Sequence, residues 1–373
     1  MNETSEARRV LEQYPGDWRD ARIERLGSAG GFSGAALWRI RAPGQDLCLK
    51  RWPAEHPTED DLRFMHSVLL HVGRQGLDWA PAPRPSRGGA TWVVSGGRFW
   101  ELAPWMPGRA DFRSNPQPAR LRAALDALAQ FHRAAQSFPD FAPRHGVPPS
   151  ISQRRERVQR LAAGGLDALS RWVVPDVWPE LFEPARRAVR LASEVLLPVC
   201  QDLENAIGWK TPLQPCIRDV WHDHVLFTGE RVTGLIDFGA LRVDCVAVDV
   251  ARLLGSLAGD DGSLWEIGLE AYESIRPLET LERAMVRILD WSGAVLAAIH
   301  WIEWLYRDRR WFADREAVVR RVREVVDRLE HLTRRLREGG ETAGGLWLPG
   351  PVAAEVRKSA AARGGLRLPN GND

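Results

Sequence analysis

The sequence predicts a two-lobed α+β protein, and three observations point there. From Ala21 to about Trp105, Gly, Pro and β-type residues dominate, with one good helical pattern among them. After Pro107-Gly108 the periodicity turns helical. A short strand-rich island, roughly Pro215 to Asp237, then interrupts the helices. A small β-rich part joined by a hinge to a larger helical part makes the cleft between lobes the default ligand site.

The elements follow in order. Residues 3–13 read as a short helix. Ala35–Ile40 and Asp46–Trp52 read as strands, and Ala42-Pro43-Gly44-Gln45 between them is a turn signal, so the pair is expected as a hairpin. Thr58 is placed as an N-cap, with Glu59, Asp60 and Asp61 suiting the positive end of the helix that follows. Leu62, Met65, Leu69 and Val72 keep helical spacing until Gly73 and Gly76 end it. Thr91–Ser95 and Phe99–Ala103 make a second hairpin around Gly96-Gly97. Pro118–Gln136, Ile151–Leu161 and Pro184–Leu203 are expected helices, and helical patterns resume from Val246 to about Arg337. The expected division is a β-rich lobe over 1–103, a helical lobe over 104–337, and a mobile tail over 338–373, rich in Gly, Ala, Pro and Arg.

Composition removes several function classes. A length of 373 residues suits two domains or one two-lobed one, and 44% hydrophobic with 27% charged residues excludes a wholly disordered chain. The 51 basic side chains nearly balance 49 acidic ones, which argues against a dedicated nucleic-acid binder. Cys48, Cys200, Cys216 and Cys245 are scattered, with neither zinc-ribbon nor disulfide-scaffold spacing. The polar start, Met1 to Arg9, has no signal-peptide core, and the apolar run Trp291–Tyr306 is too short to span a bilayer. The expected address is the cytoplasm, with no membrane partner.

Three motifs carry chemistry. The first is Leu26-Gly27-Ser28-Ala29-Gly30-Gly31-Phe32-Ser33-Gly34-Ala35. Glycines let backbone N–H groups approach phosphate oxygens closely. No GK[ST] follows, and no helix follows, so neither a Walker A nor a dinucleotide fingerprint fits. A glycine loop joining two strands is the setting of a kinase-type phosphate lid, and an ordinary hairpin turn is the alternative. The second is Lys50, on the strand face of Cys48, where it can reach phosphates as a point charge. A solvated edge-strand lysine is its alternative. The third is the pair Asp219 and Asp237, each at a strand-to-loop boundary and separated by a strand, the Gly229-Glu230 turn and a second strand. One carboxylate can accept the proton of an attacking hydroxyl while the other holds a metal on the phosphates. Loop capping is the alternative for both.

These residues resemble the aminoglycoside phosphotransferase and choline kinase-like branch of the protein-kinase-like fold. That family reads H-G-D-x-x-x-x-N, then I-D-[FW], then D-P-x-x-D-[LV]-A. Asp219 falls on the catalytic Asp, Ile236-Asp237-Phe238-Gly239 on the metal segment, and Asp249 on an acid that props the catalytic loop. Leu128-Ala129-Gln130-Phe131-His132 resembles the L-A-x-L-H helix. Glu101-Leu102-Ala103-Pro104-Trp105 resembles the hinge whose backbone takes adenine, which assigns Glu101 and Ala103 to the nucleotide. The resemblance covers roughly Ile23 to Arg323. It implies an ATP-dependent phosphotransferase acting on a small hydroxyl-bearing substrate. Gly27, Ser28, Gly30, Gly31, Ser33, Gly34 and Lys50 would hold the phosphates, Asp219 would act as base with Arg218 bracing the loop, and Asp237 would bind Mg²⁺.

The sequence also departs from that pattern. His224 stands where the family has a metal-binding Asn. Imidazole is a poor Mg²⁺ ligand and a better one for Mn²⁺. Ile217-Arg218 replaces His-Gly. Mid-helix, where an acid should face Lys50, stand Met65 and His66, while Glu55 and Glu59 come early. These departures keep open an alternative, a nucleotide-binding pseudokinase or a scaffold of the same fold. A protein kinase is disfavoured because Asp244 to Asp249 follows Asp237-Phe238-Gly239 where an activation segment would begin. In His222-Asp223-His224, extended alternation works against three ligands around one ion. Trp301 and Trp304, with His300 and Glu303, suit either a cation-binding pocket or simple helix packing.

Overall fold

The computed structural model describes residues 3–27, 34–142 and 144–337. Their division is interleaved along the chain instead of following one cut near residue 103. Described residues within Met1–Pro143, Gln214–Pro277 and Trp311–Val318 form one compact unit, and those within Arg144–Leu213, Leu278–Arg310 and Val319–Asp373 form the other. The expected tail, residues 338–373, lies outside the described residues.

The first unit opens with helix α1 (Glu3–Leu11), strands β1 (Arg22–Arg25), β2 (Ala36–Ala42) and β3 (Gln45–Arg51), helix α2 (Glu59–Arg74), and strands β4 (Val93–Ser95) and β5 (Arg98–Pro104). The strands form one sheet in the order β1-β2-β3-β5-β4, with antiparallel pairing throughout. Gly44, at φ 73°, supplies the left-handed turn residue between β2 and β3. The period of two puts Trp38, Ile40, Leu47, Leu49, Trp100 and Leu102 on one face. That face is covered by Ala7, Val10 and Leu11 of α1, with Tyr14 and Trp18, and Trp38 stacks on Trp100 at 5.0 Å. Lys50 and Glu101, opposite each other in the β3–β5 register, alternate to the other face. β1 escaped the sequence reading because Arg-Ile-Glu-Arg has a single apolar residue; its pairing with β2, not its pattern, makes it a strand.

At the start of α2, Thr58 accepts from the Asp61 N–H and Asp61 returns a bond to the Thr58 N–H, which closes a capping box. Helix α3 (Pro118–Gln136) matches its expected span, with Pro118 in the first turn, where no N–H partner is needed.

The second unit takes up the chain with β6 (Arg144–Gly146), α4 (Pro149–Arg160), the short α5 (Leu166–Ser170), α6 (Phe182–Ala206) and the start of β7 (Thr211–Cys216). α6 runs past its expected span and holds Pro198 inside it. Burial of Leu191, Val195, Val199 and Leu203 along one stripe outweighs that one lost hydrogen bond.

Back in the first unit, the end of β7 pairs with β10 (Arg242–Asp244), and β8 (Val225–Thr228) forms a hairpin with β9 (Arg231–Leu235). α7 (Ala247–Leu257) and α8 (Gly262–Ile275) follow and pack on α3. α9 (Thr280–Ile302) packs on α6 in the second unit, and α10 (Arg315–Arg337) ends the described chain. Thr280–Arg307 is long and apolar enough to cross a membrane, but most of its apolar window is buried inside the protein. All four cysteines are free.

Thr58→Ala removes one side of the capping box. It should cost about 1 kcal/mol in urea unfolding.

Candidate active site

The site lies within the first unit and begins with a buried carboxylate. Asp249, fully buried on α7, accepts the backbone N–H of Ile217 (2.7 Å) and of Arg218 (2.5 Å), and the Nε2–H of His132 on α3 (2.9 Å). His132 Nδ1 meets the Tyr272 hydroxyl at 2.7 Å. These bonds fix the turn that leaves β7. Arg218 there takes φ 68°, a left-handed conformation costly for a residue with a Cβ. Where the family has Gly, this chain holds Arg218 with the Asp249 bond at its N–H and Asp244 Oδ2 3.2 Å from its Nε. His132, Cys216 and Asp249 are close enough to ligate one ion. Burial, then the neighbouring acids, pushes the Cys216 thiol well up, so it stays protonated and bonded to the carbonyls of Gln214 and Asp244. This is a structural cluster.

Asp219 follows the strained residue with its side chain half-exposed. Arg252 of α7 donates to its Oδ1 from Nη2 at 3.0 Å and from Nε at 3.3 Å. The sequence reading missed Arg252. The available signal was its place three residues after Asp249, on the same helix face.

His224 joins this acid to the second one. Its Nδ1 lies 2.8 Å from the Asp219 carbonyl, which can only accept, so Nδ1 carries the proton. Its Nε2 lone pair accepts the Trp221 indole N–H at 2.9 Å. The same Nε2 stands 3.7 Å from Asp237 Oδ2. His222 points elsewhere, to Ser256 at 2.7 Å, so the His-Asp-His run does not converge on one ion.

Asp237, also left-handed at φ 63°, binds Lys50 Nζ through Oδ1 at 3.2 Å. The Lys50 ammonium holds the Asp237 carboxyl down at about 2 against the opposing effect of burial. Burial acts against the Lys50 charge, but Asp237 and Glu101 outweigh it and raise the lysine above its ordinary value. Lys50 Nζ sits 3.6 Å over the Trp52 ring. A Cβ at Gly239 would come to 3.0 Å from that ring, so any larger residue there would have to push the indole aside by a few tenths of an ångström.

Glu101 and Ala103 lie within β5 opposite Lys50 and Cys48. Trp52 N–H bonds to Phe99 O and Trp105 N–H to Asp46 O. By antiparallel alternation, the backbone groups of Glu101 and Ala103 therefore turn towards β3. Glu101 Oε2 accepts from the Trp52 indole and from His66 Nε2, each at 2.9 Å. Gly27 and Gly34 take φ 50° and 83° at the ends of the glycine loop, while Ser28, Gly30, Gly31 and Ser33 lie outside the described residues.

For a divalent cation the donor set fits in part. Asp237 offers an ionised, half-exposed carboxylate, a hard ligand. His224 has its Nε2 lone pair committed to Trp221. In the second unit, Glu303 is already bound by Arg157 and Arg307, and the Trp304 ring carries Arg310 at 4.3 Å. That is the packing reading of the aromatic cluster rather than an open cation cage.

Lys50→Met should let the Asp237 carboxyl rise from about 2 towards its ordinary 3.8. Because the carboxylate form is the favoured one, its stabilising effect is present above the ordinary value and is lost as pH falls towards 2. An NMR titration of the Asp237 carboxyl reads the change, and the variant's midpoint should lie higher than the wild type's.

Comparison with known proteins joins this geometry to a family. A family model described as "Phosphotransferase enzyme family" matches residues 26–286. The homoserine kinase of Beijerinckia indica subsp. indica is 29% identical over 258 residues, covering 66% of this chain and 71% of that protein. Among solved structures, a microcompartment-associated aminopropanol kinase superposes with TM-score 0.62 at 14% identity, covering 90% of this chain and 98% of that one. A spectinomycin phosphotransferase in complex with ADP and spectinomycin superposes with TM-score 0.59 at 13% identity, covering 89% and 98%. Those two likenesses speak for the shared protein-kinase-like α+β fold. The protein belongs to the phosphotransferase enzyme family, as a small-molecule kinase with a hydroxyl acceptor.

Proposed function

We propose that the protein transfers the γ-phosphate of ATP to the hydroxyl of a small amino acid alcohol, with homoserine the first acceptor to test. One observation carries the reaction: Asp219, His224, Asp237 and Lys50 are linked in series by contacts of 2.8, 3.7 and 3.2 Å. A base, an ionised carboxylate and a phosphate-binding cation thus share one site. Asp219 accepts the proton as the acceptor oxygen bonds to phosphorus and ADP departs with the old P–O bond electrons. Arg252 keeps the Asp219 carboxylate turned to the substrate. Lys50 passes from Asp237 to the phosphate oxygens, and Asp237 holds Mg²⁺. When bound, that ion neutralises phosphate charge. The adenine is assigned to the chain that continues from Glu101 and Ala103 past Pro104, and the phosphates to the glycine-rich loop, of which Gly27 and Gly34 are among the described residues. The reaction belongs to the cytoplasm and calls for no nucleic acid or membrane.

Two observations support the acceptor. The sequence relatives include homoserine kinases that this chain matches over 71% of their length. The Arg252 guanidinium beside the base suits an acceptor that carries a carboxylate. Choline and aminopropanol have none. A second reading, a nucleotide-binding pseudokinase or scaffold, draws on the commitment of His224 Nε2 to Trp221.

A coupled assay with Mg·ATP against homoserine, aminopropanol, choline and spectinomycin separates these readings. Turnover highest with homoserine supports the first, and nucleotide binding without turnover on any acceptor supports the second. Asp219→Asn should lower kcat by about 10²–10⁴-fold with nucleotide KM little changed. Transfer that survives it would overturn the role of Asp219. His224→Asn should raise the preference for Mg²⁺ over Mn²⁺, read by calorimetry with each metal.

A further inference from the structure

Lys50 needs a second acid. Its present partner, Asp237, is the carboxylate assigned above to the metal, and the lysine must stay charged and aimed once Asp237 turns away. α2 does not supply that acid. Glu59 pairs with Arg63 at 2.6 Å. Asp61 is spent on the Thr58 cap and on Arg242 at 2.7 Å. Glu55 is exposed. The side chain that α2 sends to Glu101 is His66, which is 2% exposed.

The acid lies instead on the strand. Glu101 is the cross-strand partner of Lys50 and shares its sheet face. Its Oε2 is pinned from two sides, by His66 Nε2 and by Trp52 Nε1, each at 2.9 Å. His66 is fixed in turn by Thr91 Oγ1 at 2.7 Å from Nδ1. Trp52 reaches both charges, with its N–H on Glu101 and its ring face 3.6 Å from Lys50 Nζ. An indole so placed favours the cation through its ring and the anion through its N–H.

We propose that Glu101, clamped by His66 and Trp52, is the positioning acid for Lys50, with the helix contributing the hydrogen-bond donor and the sheet the carboxylate. Glu101 acts through the lysine and touches no substrate. The inference rests on the phosphate role given to Lys50 above. It has a consequence for sequence reading: the acid is found opposite the lysine in β5, and the helix position that faces it is a histidine.

The test relocates the charge. Glu101→Gln should weaken ATP binding about tenfold by calorimetry and raise the KM for ATP, with the KM for the acceptor unchanged. Glu101→Gln combined with His66→Glu returns an acid to the same pocket from the helix side, and should recover ATP affinity to within about threefold of wild type. His66→Glu alone sets two acids face to face and should not improve binding. Thermal unfolding of each variant shows that it is folded. Wild-type affinity in Glu101→Gln, or a folded double variant as weak as the single one, overturns the proposal. If Glu101→Gln does not fold, Trp52→Phe decides. It keeps an aromatic ring, though a smaller one, and deletes the N–H, and an unchanged KM for ATP there overturns the clamp. A wild-type protein that binds no ATP at all overturns the phosphotransferase reading itself, and the positioning role with it.

Discussion

The active-site turn hangs on one buried carboxylate. Asp249 accepts two consecutive backbone N–H groups and a histidine N–H with no solvent to help. A buried charge is tolerated only when such donors satisfy it, and leaving one buried donor unpaired typically costs about 1–3 kcal/mol. The two N–H bonds oblige the chain to turn at Arg218, which forces the positive φ there and delivers Asp219 to its place beside Arg252. The proposed base is therefore aimed by a buried residue thirty positions further on.

From that turn the site is assembled by shared hydrogen-bonding groups rather than by one sheet or helix. His224 offers its proton to the backbone of Asp219 and its lone pair to Trp221, while its ring edge faces Asp237. Asp237 in turn takes its low pKa chiefly from a lysine on the far side of the sequence. The one charge pair in this chain of contacts is Lys50 with Asp237.

Much of this was legible in the sequence where a residue type has few local uses. Thr58 before three acids announced its helix, and Gly44 after Pro43 its hairpin. The spacing of Asp219 and Asp237 around a strand pair brought out the two acids. What escaped were relations made by register and by helix phase. Glu101 was read through its place in the chain as a hinge residue, whereas the β3–β5 register turns its side chain to Lys50. Arg252 looked like one arginine among many until α7 set it one turn from Asp249. Strands β1, β6 and β10 are three or four residues long, too short for any periodicity, and exist because a neighbour pairs with them.

The bridge between Asp61 and Arg242 bears on how this molecule moves. Asp61 is locked into the cap of α2, and Arg242 is stitched to β7 opposite Cys216, one residue before the catalytic turn. The amino end of the helix is therefore tied to the strand that leads into the Asp219 turn. The start of α2 and the strand pair β7–β10 are thereby held together by one ion pair that spans 181 positions of the sequence.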